Sequence, residues 1–172
     1  MVSGREFYKN HKGSLKAASQ LIVNGHKNIR IVKTGAPSNE FSELVASLAL
    51  QDYVVELFLE DFSELPLLYN FIDCLIFPSF YEGFGMPVAE ALACGTAVVA
   101  SDRGALPEVM GTLGNLVEPN DPNAIANALS EILDSSSVRQ HFADEGPRLM
   151  KKFSLPVIAE QMESFYFSVA QS

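Results

Sequence analysis

Short apolar runs of strand type alternate with stretches of helical spacing along the whole chain, and this alternation leaves few folds open. Residues 29–32, 54–59, Cys74–Phe77, 96–100 and Leu116–Val117 have strand character. Helical spacing covers residues 12–21, 38–50, 86–94, Leu106–Met110, a stretch opened by Asp121-Pro122, and two closing stretches at 138–150 and 156–169. Ser63 is placed to cap a further short helix running to Tyr69. Strands separated by helices cannot pair as hairpins; they pair in parallel and put their helices on the sheet faces. The runs at Cys74–Phe77 and 97–100 are apolar at every position, as strands covered on both faces must be. An α/β fold with a parallel sheet and helices on both faces follows. Ligands of such sheets bind beyond the carboxyl ends of the strands, which directs attention to the loops at 4–11, 34–38, 60–63, 78–85 and 101–106.

The 172 residues suit one domain, taken as 1–172. A first strand at Val2-Ser3 is short for a sheet interior, so the domain is expected to begin earlier than this chain does. A net charge of −9 excludes a general grip on nucleic acid. Cations are also unevenly placed: Arg5, Lys9, Lys12 and Lys16 lie near the start, while residues 39–101 contain no Lys or Arg. No apolar run is long enough to span a membrane, and the first residues have no signal-peptide core. Cys74 and Cys94 lack metal-ligand spacing and read as reduced core thiols of a cytoplasmic protein. His11, His26 and His141 share no spacing and read as surface or helix-end residues.

The segment between the strand at Cys74–Phe77 and the following helix is the richest in chemistry. Pro78 stops the strand, Gly83 and Gly85 let the backbone take positive φ, and Pro87 sits where a helix starts. First-turn N–H groups and the helix dipole make such a start an anion site, and a diphosphate would fit there. Glu82 on the loop and Glu90 in the helix would repel phosphate, so both are assigned to hydroxyl groups. Arg5 and Lys9, in the loop after the first strand, could neutralise a leaving diphosphate. By spacing alone, Glu90 is equally a solvated helix residue and Arg5 and Lys9 equally solvated cations.

Residues 73–100 resemble the C-terminal domain of the large retaining glycosyltransferase family 4, which has the GT-B fold. Glu82 and Glu90 match its Glu-x7-Glu mark. Pro78-Ser79, Glu82-Gly83-Phe84-Gly85, Pro87 with Glu90-Ala91, and Ala93-Cys94-Gly95-Thr96 match around it, and the likeness extends to residues 104–109 and 116–122. Upstream, Gly4-Arg5 and Tyr8-Lys9-Asn10 resemble the same domain's first loop. The resemblance implies a Rossmann-like half of a GT-B enzyme that binds a nucleotide-diphosphate sugar without metal or other cofactor. Arg5 and Lys9 would hold the diphosphate near Gly4. Glu82 and the backbone of Gly83, Phe84 and Gly85 would contact the sugar. Met86, Pro87 and Val88 would turn against the phosphates, and Glu90 would bind the ribose diol.

The full reaction it implies is hexosyl transfer to a hydroxyl acceptor with retention, as in polysaccharide biosynthesis. No residue here is a convincing covalent nucleophile, which favours same-face attack. The family's N-terminal acceptor domain, or a partner chain supplying it, would complete the cleft, and the full enzyme could be membrane-peripheral. The last helix of such proteins crosses back to that domain, so Phe165, Tyr166 and Phe167 are expected at the surface. The chain departs from the family pattern after the strand at 54–59, where a glycine is usual and Phe58-Leu59-Glu60-Asp61 stands, so the nucleotide base stays open; Val32-Lys33-Thr34-Gly35 keeps one glycine of a usual pair. Two other readings stay open as well: a non-catalytic module of the same architecture, and a sugar-nucleotide epimerase.

Overall fold

The computed structural model describes residues 7–171, so the strand expected at Val2-Ser3 and the site residues Gly4 and Arg5 lie outside the described residues. The helices are α1 (His11–Val23), α2 (Asn39–Ser47), α3 (Leu65–Phe71), α4 (Met86–Ala93), α5 (Leu106–Met110), α6 (Pro122–Asp134), α7 (Ser136–Met150) and α8 (Leu155–Ala170). The strands are β1 (Ile31–Thr34), β2 (Val54–Leu57), β3 (Cys74–Phe77), β4 (Ala97–Ser101) and β5 (Leu116–Val117). Single 3₁₀ turns occupy Phe7–Lys9, Phe62–Glu64 and Lys151–Phe153.

All strand pairs are parallel, as the alternation requires. Among the described residues they form two pieces, β1-β2 and β3-β4-β5. All five residues of β4 are buried, so both of its faces are covered by helices. Helix α1 joins the two parts: Ala17 and Leu21 enter the core around β3 and β4, while Leu15 and Ala18 enter the one around β1. Ile76 of β3 packs against both cores. On α7, a Cβ added at Gly146 would lie 2.5 Å from the Leu92 carbonyl, so this helix approaches α4 at backbone distance.

Strand β1 begins two residues later than the apolar run suggests. Its ladder is set by β2, with Ile31 opposite Val54, and ahead of Val54 the chain turns through Leu50, whose carbonyl accepts from the N–H groups of Tyr53 and Val54. Strand β2 ends at Leu57, whose carbonyl accepts the last bond between the two strands, from Gly35 N–H at 3.2 Å. Helix α2 ends at Ser47 and not at Leu50, since Ala49 turns left-handed at φ 53°. Ser63 caps no helix: it lies inside the 3₁₀ turn Phe62–Glu64, whose cap is Asp61, and α3 starts at Leu65 without a side-chain cap. The Asp61 carboxylate accepts from the Ser63 N–H at 2.8 Å and from the Ser63 hydroxyl at 2.5 Å. A carboxylate is the stronger acceptor of the two, and these bonds hold its pKa below the ordinary value.

Both cysteines are free and half-buried. Burial pushes the Cys74 thiol up to about 12, and burial with the Glu90 charge raises that of Cys94. The thiolate is the reactive species, and a thiol at about 12 holds about a thousandfold less of it at pH 8 than an ordinary cysteine does. Iodoacetamide at pH 8 is therefore expected to label Cys74 at least about a hundredfold more slowly in native than in urea-unfolded protein, as followed by mass spectrometry. Comparable rates in the two states would contradict this placement.

No helix among the described residues is long and apolar enough to cross a membrane. Helix α8 contributes no buried residue, and Phe165, Tyr166 and Phe167 are 63%, 63% and 61% exposed, as the sequence led one to expect.

Candidate functional site

The site starts from one asparagine. Asn10 takes the left-handed conformation (φ 53°, ψ 47°) that Asn tolerates better than most residues, and its side-chain oxygen caps α1 by accepting from Gly13 N–H at 3.0 Å. Its amide nitrogen donates to the Pro78 carbonyl at 3.1 Å and the Pro119 carbonyl at 2.7 Å. One buried side chain therefore ties the start of α1 to the loop after β3 and the loop after β5. The Phe80 N–H adds a bond to the Tyr8 carbonyl at 2.7 Å.

These ties bring Lys9 to Glu82, 73 positions away, with the ammonium 2.7 Å from Glu82 Oε1. Their side chains are only 13% and 12% exposed. The ammonium also stands 4.8 Å from the centre of the Phe77 ring and 5.0 Å from that of Tyr8, within cation–π range. Two of the sequence-selected residues thus form an ion pair at the carboxyl end of β3, where ligands of parallel sheets bind.

Gly85 supplies the sharp entry to α4 at φ 92°, a conformation an L side chain resists, and a Cβ there would lie 2.4 Å from Leu106 Cδ2. Gly83 behaves differently from the expectation of positive φ: it is not in that region, and a Cβ there meets nothing within 4 Å. The turn is made by Gly85 alone, and Gly83 leaves open space. Glu82 is clamped from behind. Its carbonyl accepts from Ala105 N–H at 3.2 Å, and Gly104, at φ 57°, passes so close that a Cβ would lie 2.6 Å from that oxygen. The Phe84 ring turns away to meet Phe153 edge-on at 5.1 Å, so the face that Phe84 presents to the loop is its backbone. Pro87 stands at the start of α4 with Met86, which is exposed, and Val88, which is fully buried.

Glu90 is not a solvated helix residue. It is half-buried, and its Oε2 accepts from the hydroxyl of the buried Tyr69 at 2.9 Å. Burial, then the bond to Glu90, pushes the Tyr69 phenol far above its ordinary value and keeps it a donor. At the same end of the sheet, Arg103 bonds Asp102 at 3.1 Å and also Glu118; Glu118 is held below its ordinary pKa by its bonds from Asn120 and then by Arg103. His26 hydrogen-bonds Ser130 at 3.0 Å and stands 3.6 Å from Asp134, and His11 meets Phe41 edge-on at 5.6 Å.

Sequence reasoning missed Tyr69, the load on the Asn10 side chain, and the closeness of Gly104 to Glu82. A signal for the second was present: an Asn immediately before a helical stretch is a cap candidate. No spacing rule relates Tyr69 to Glu90 or Gly104 to Glu82.

Residues 1–149 match the family model described as glycosyl transferases group 1. The chain is 42% identical over 91 residues to an O-antigen chain mannosyltransferase B of Escherichia coli, covering 53% of this chain and 24% of that protein. It is 35% identical over 157 residues to an MMP alpha-(1->4)-mannosyltransferase of Mycolicibacterium hassiacum, covering 88% of this chain and 38% of the other. A sucrose-phosphate synthase structure from Thermosynechococcus elongatus superposes with TM-score 0.86 at 28% identity, covering 99% of this chain and 45% of that one. The chain thus spans less than half the length of each of these relatives. With the α/β architecture, the paired glutamates and the match over most of its length, this chain belongs to the glycosyl transferases group 1 family.

Proposed function

We propose that this chain is the donor-binding domain of a retaining, metal-independent glycosyltransferase that moves a hexose from a nucleotide-diphosphate sugar to a hydroxyl acceptor. The observation that carries the reading is the Lys9–Glu82 ion pair beside the start of α4. An ammonium at this position neutralises phosphate charge, and the helix start adds its dipole. The carboxylate beside it accepts hydrogen bonds from sugar hydroxyls and favours positive charge developing at the anomeric carbon. Arg5 is assigned with Lys9 to the diphosphate and Gly4 to the same loop. Gly83, Phe84 and Gly85 present backbone to the sugar, Met86, Pro87 and Val88 line the phosphate turn, and Glu90 receives the ribose diol.

A second half, supplied by a further domain or another chain, holds the acceptor and closes the cleft. The relatives' greater length and the exposed apolar side of α8 support this. Two relatives are named mannosyltransferases, which supports a hexose donor and a role in building glycans.

Calorimetric titration with UDP, GDP and ADP tests the reading. One of them is expected to bind, and Lys9→Met is expected to weaken it about tenfold or more, the worth of a charge-assisted hydrogen bond, while leaving the parent nucleoside unaffected. Absence of heat with all three, for this chain and for this chain joined to a second half, would overturn it.

A further inference from the structure

Tyr69 has no place in the donor-site reading so far, yet it is wired to it. Its hydroxyl donates to Glu90 Oε2 at 2.9 Å. Its main-chain carbonyl accepts from Thr96 Oγ1 at 2.7 Å, and the Thr96 N–H bonds the carbonyl of Ala91, the residue after Glu90, at 2.9 Å. The bonds close a ring from α3 through the start of β4 back to α4. Tyr69 is 1% exposed and Thr96 6%, so neither has room to swing. The ring fixes where the phenol oxygen stands and, through it, where the Glu90 carboxylate stands.

A buried tyrosine needs an acceptor, but a main-chain carbonyl or a neutral amide would serve at lower desolvation cost than a carboxylate. Among the described residues Glu90 has no ion-pair partner, and the Tyr69 bond is its one side-chain hydrogen bond. A half-buried carboxylate held by one donor keeps Oε1 and the second lone pair of Oε2 available. Those are the acceptors a vicinal diol would use. Holding a long side chain in one rotamer beforehand removes the ordering cost from the binding step.

We propose that Tyr69 is a positioning residue that presets the Glu90 carboxylate for a ribose diol. This rests on the ribose role assigned to Glu90 above. The test compares UDP, GDP and ADP with their 2′,3′-dideoxy counterparts, by calorimetry, on wild type, Tyr69→Phe and Glu90→Gln. Wild type is expected to prefer one ribonucleotide about a hundredfold over its dideoxy form, from two hydrogen bonds to a charged acceptor. Tyr69→Phe is expected to cut that preference about threefold or more while leaving the affinity for the dideoxy form within about twofold. In Glu90→Gln the further Tyr69→Phe change is expected to have no effect on the preference.

A wild type that binds no nucleotide, alone or joined to a second half, sinks the donor-site reading and this proposal with it; one that binds ribose and dideoxyribose forms alike takes the ribose role from Glu90 and overturns the proposal. A wild type that discriminates, with a Tyr69→Phe variant that discriminates as well, overturns the proposal alone. Equal weakening of both nucleotide forms in Tyr69→Phe also overturns it, since that is what a merely structural tyrosine would give. A measurement on wild type needs no variant to fold: the nuclear magnetic resonance signal of the buried Tyr69 hydroxyl proton is expected to shift on saturation with the ribonucleotide and not with its dideoxy form. A signal indifferent to the ribonucleotide refutes the preset carboxylate.

Discussion

Asn10→Ala is expected to lower the unfolding free energy by about 4 kcal/mol in urea titration, a large share of what a domain of this size holds. Three separate losses add. The Pro78 and Pro119 carbonyls lose the donor that now reaches them at 3.1 and 2.7 Å, and a buried carbonyl left without a donor costs about 1–3 kcal/mol. The cap on the Gly13 N–H disappears, at about 1 kcal/mol. Alanine must also occupy φ 53°, a left-handed conformation costing roughly 1–2 kcal/mol. Asn10→Asp separates the terms: it keeps the cap and replaces the donor with a charge facing two carbonyls, so its loss should be comparable. Full stability in either variant would mean that the loops after β3 and β5 hold themselves.

The second large effect is expected at Gly104. Alanine there places a Cβ 2.6 Å from the Glu82 carbonyl oxygen and 3.1 Å from its nitrogen, and it does so at φ 57°. The obstacle is backbone and not the end of a flexible side chain, so a segment must move. The expected loss is about 2–4 kcal/mol by thermal or urea unfolding, with nucleotide affinity reduced because the segment that moves carries Glu82. Gly83→Ala is the matched control. It has ordinary φ and open space around it, so its stability should stay within about 0.5 kcal/mol of wild type. If the two variants behave alike, the close approach of Gly104 does not matter.

How far the sequence foretold this architecture depends on which interactions fix each element. Strand β3 matches the expected residues because an apolar run meets a proline that ends it. Helix α6 starts at Pro122 because Asp121 accepts from the Asn123 and Ala124 N–H groups, a cap legible in two adjacent letters. Strand β1 was displaced because a parallel ladder takes its ends from its neighbour, and no local pattern reports where β2 begins. The site divides the same way. Glu82, Glu90, Lys9 and the α4 start were marked by a dense motif and by family resemblance. The Lys9–Glu82 pairing, the Tyr69 bond and the Gly104 clamp join residues 73, 21 and 22 positions apart, and only the folded chain brings them together. Gly83 and Gly85 looked equivalent as letters; their backbones differ because Gly85 must turn into a helix and Gly83 need not.

Helix α8 carries a consequence for how this sequence can vary. From Ala159 to Gln171 every residue is exposed, so none of them is tied to the cores around β1 and β4. Substitutions along that stretch that keep the helix are expected to leave the two cores intact, and selection there follows whatever surface the helix meets. The chain therefore falls under two separable constraints: one that holds the Lys9, Glu82 and Glu90 constellation in register, and one set by the surface that α8 meets.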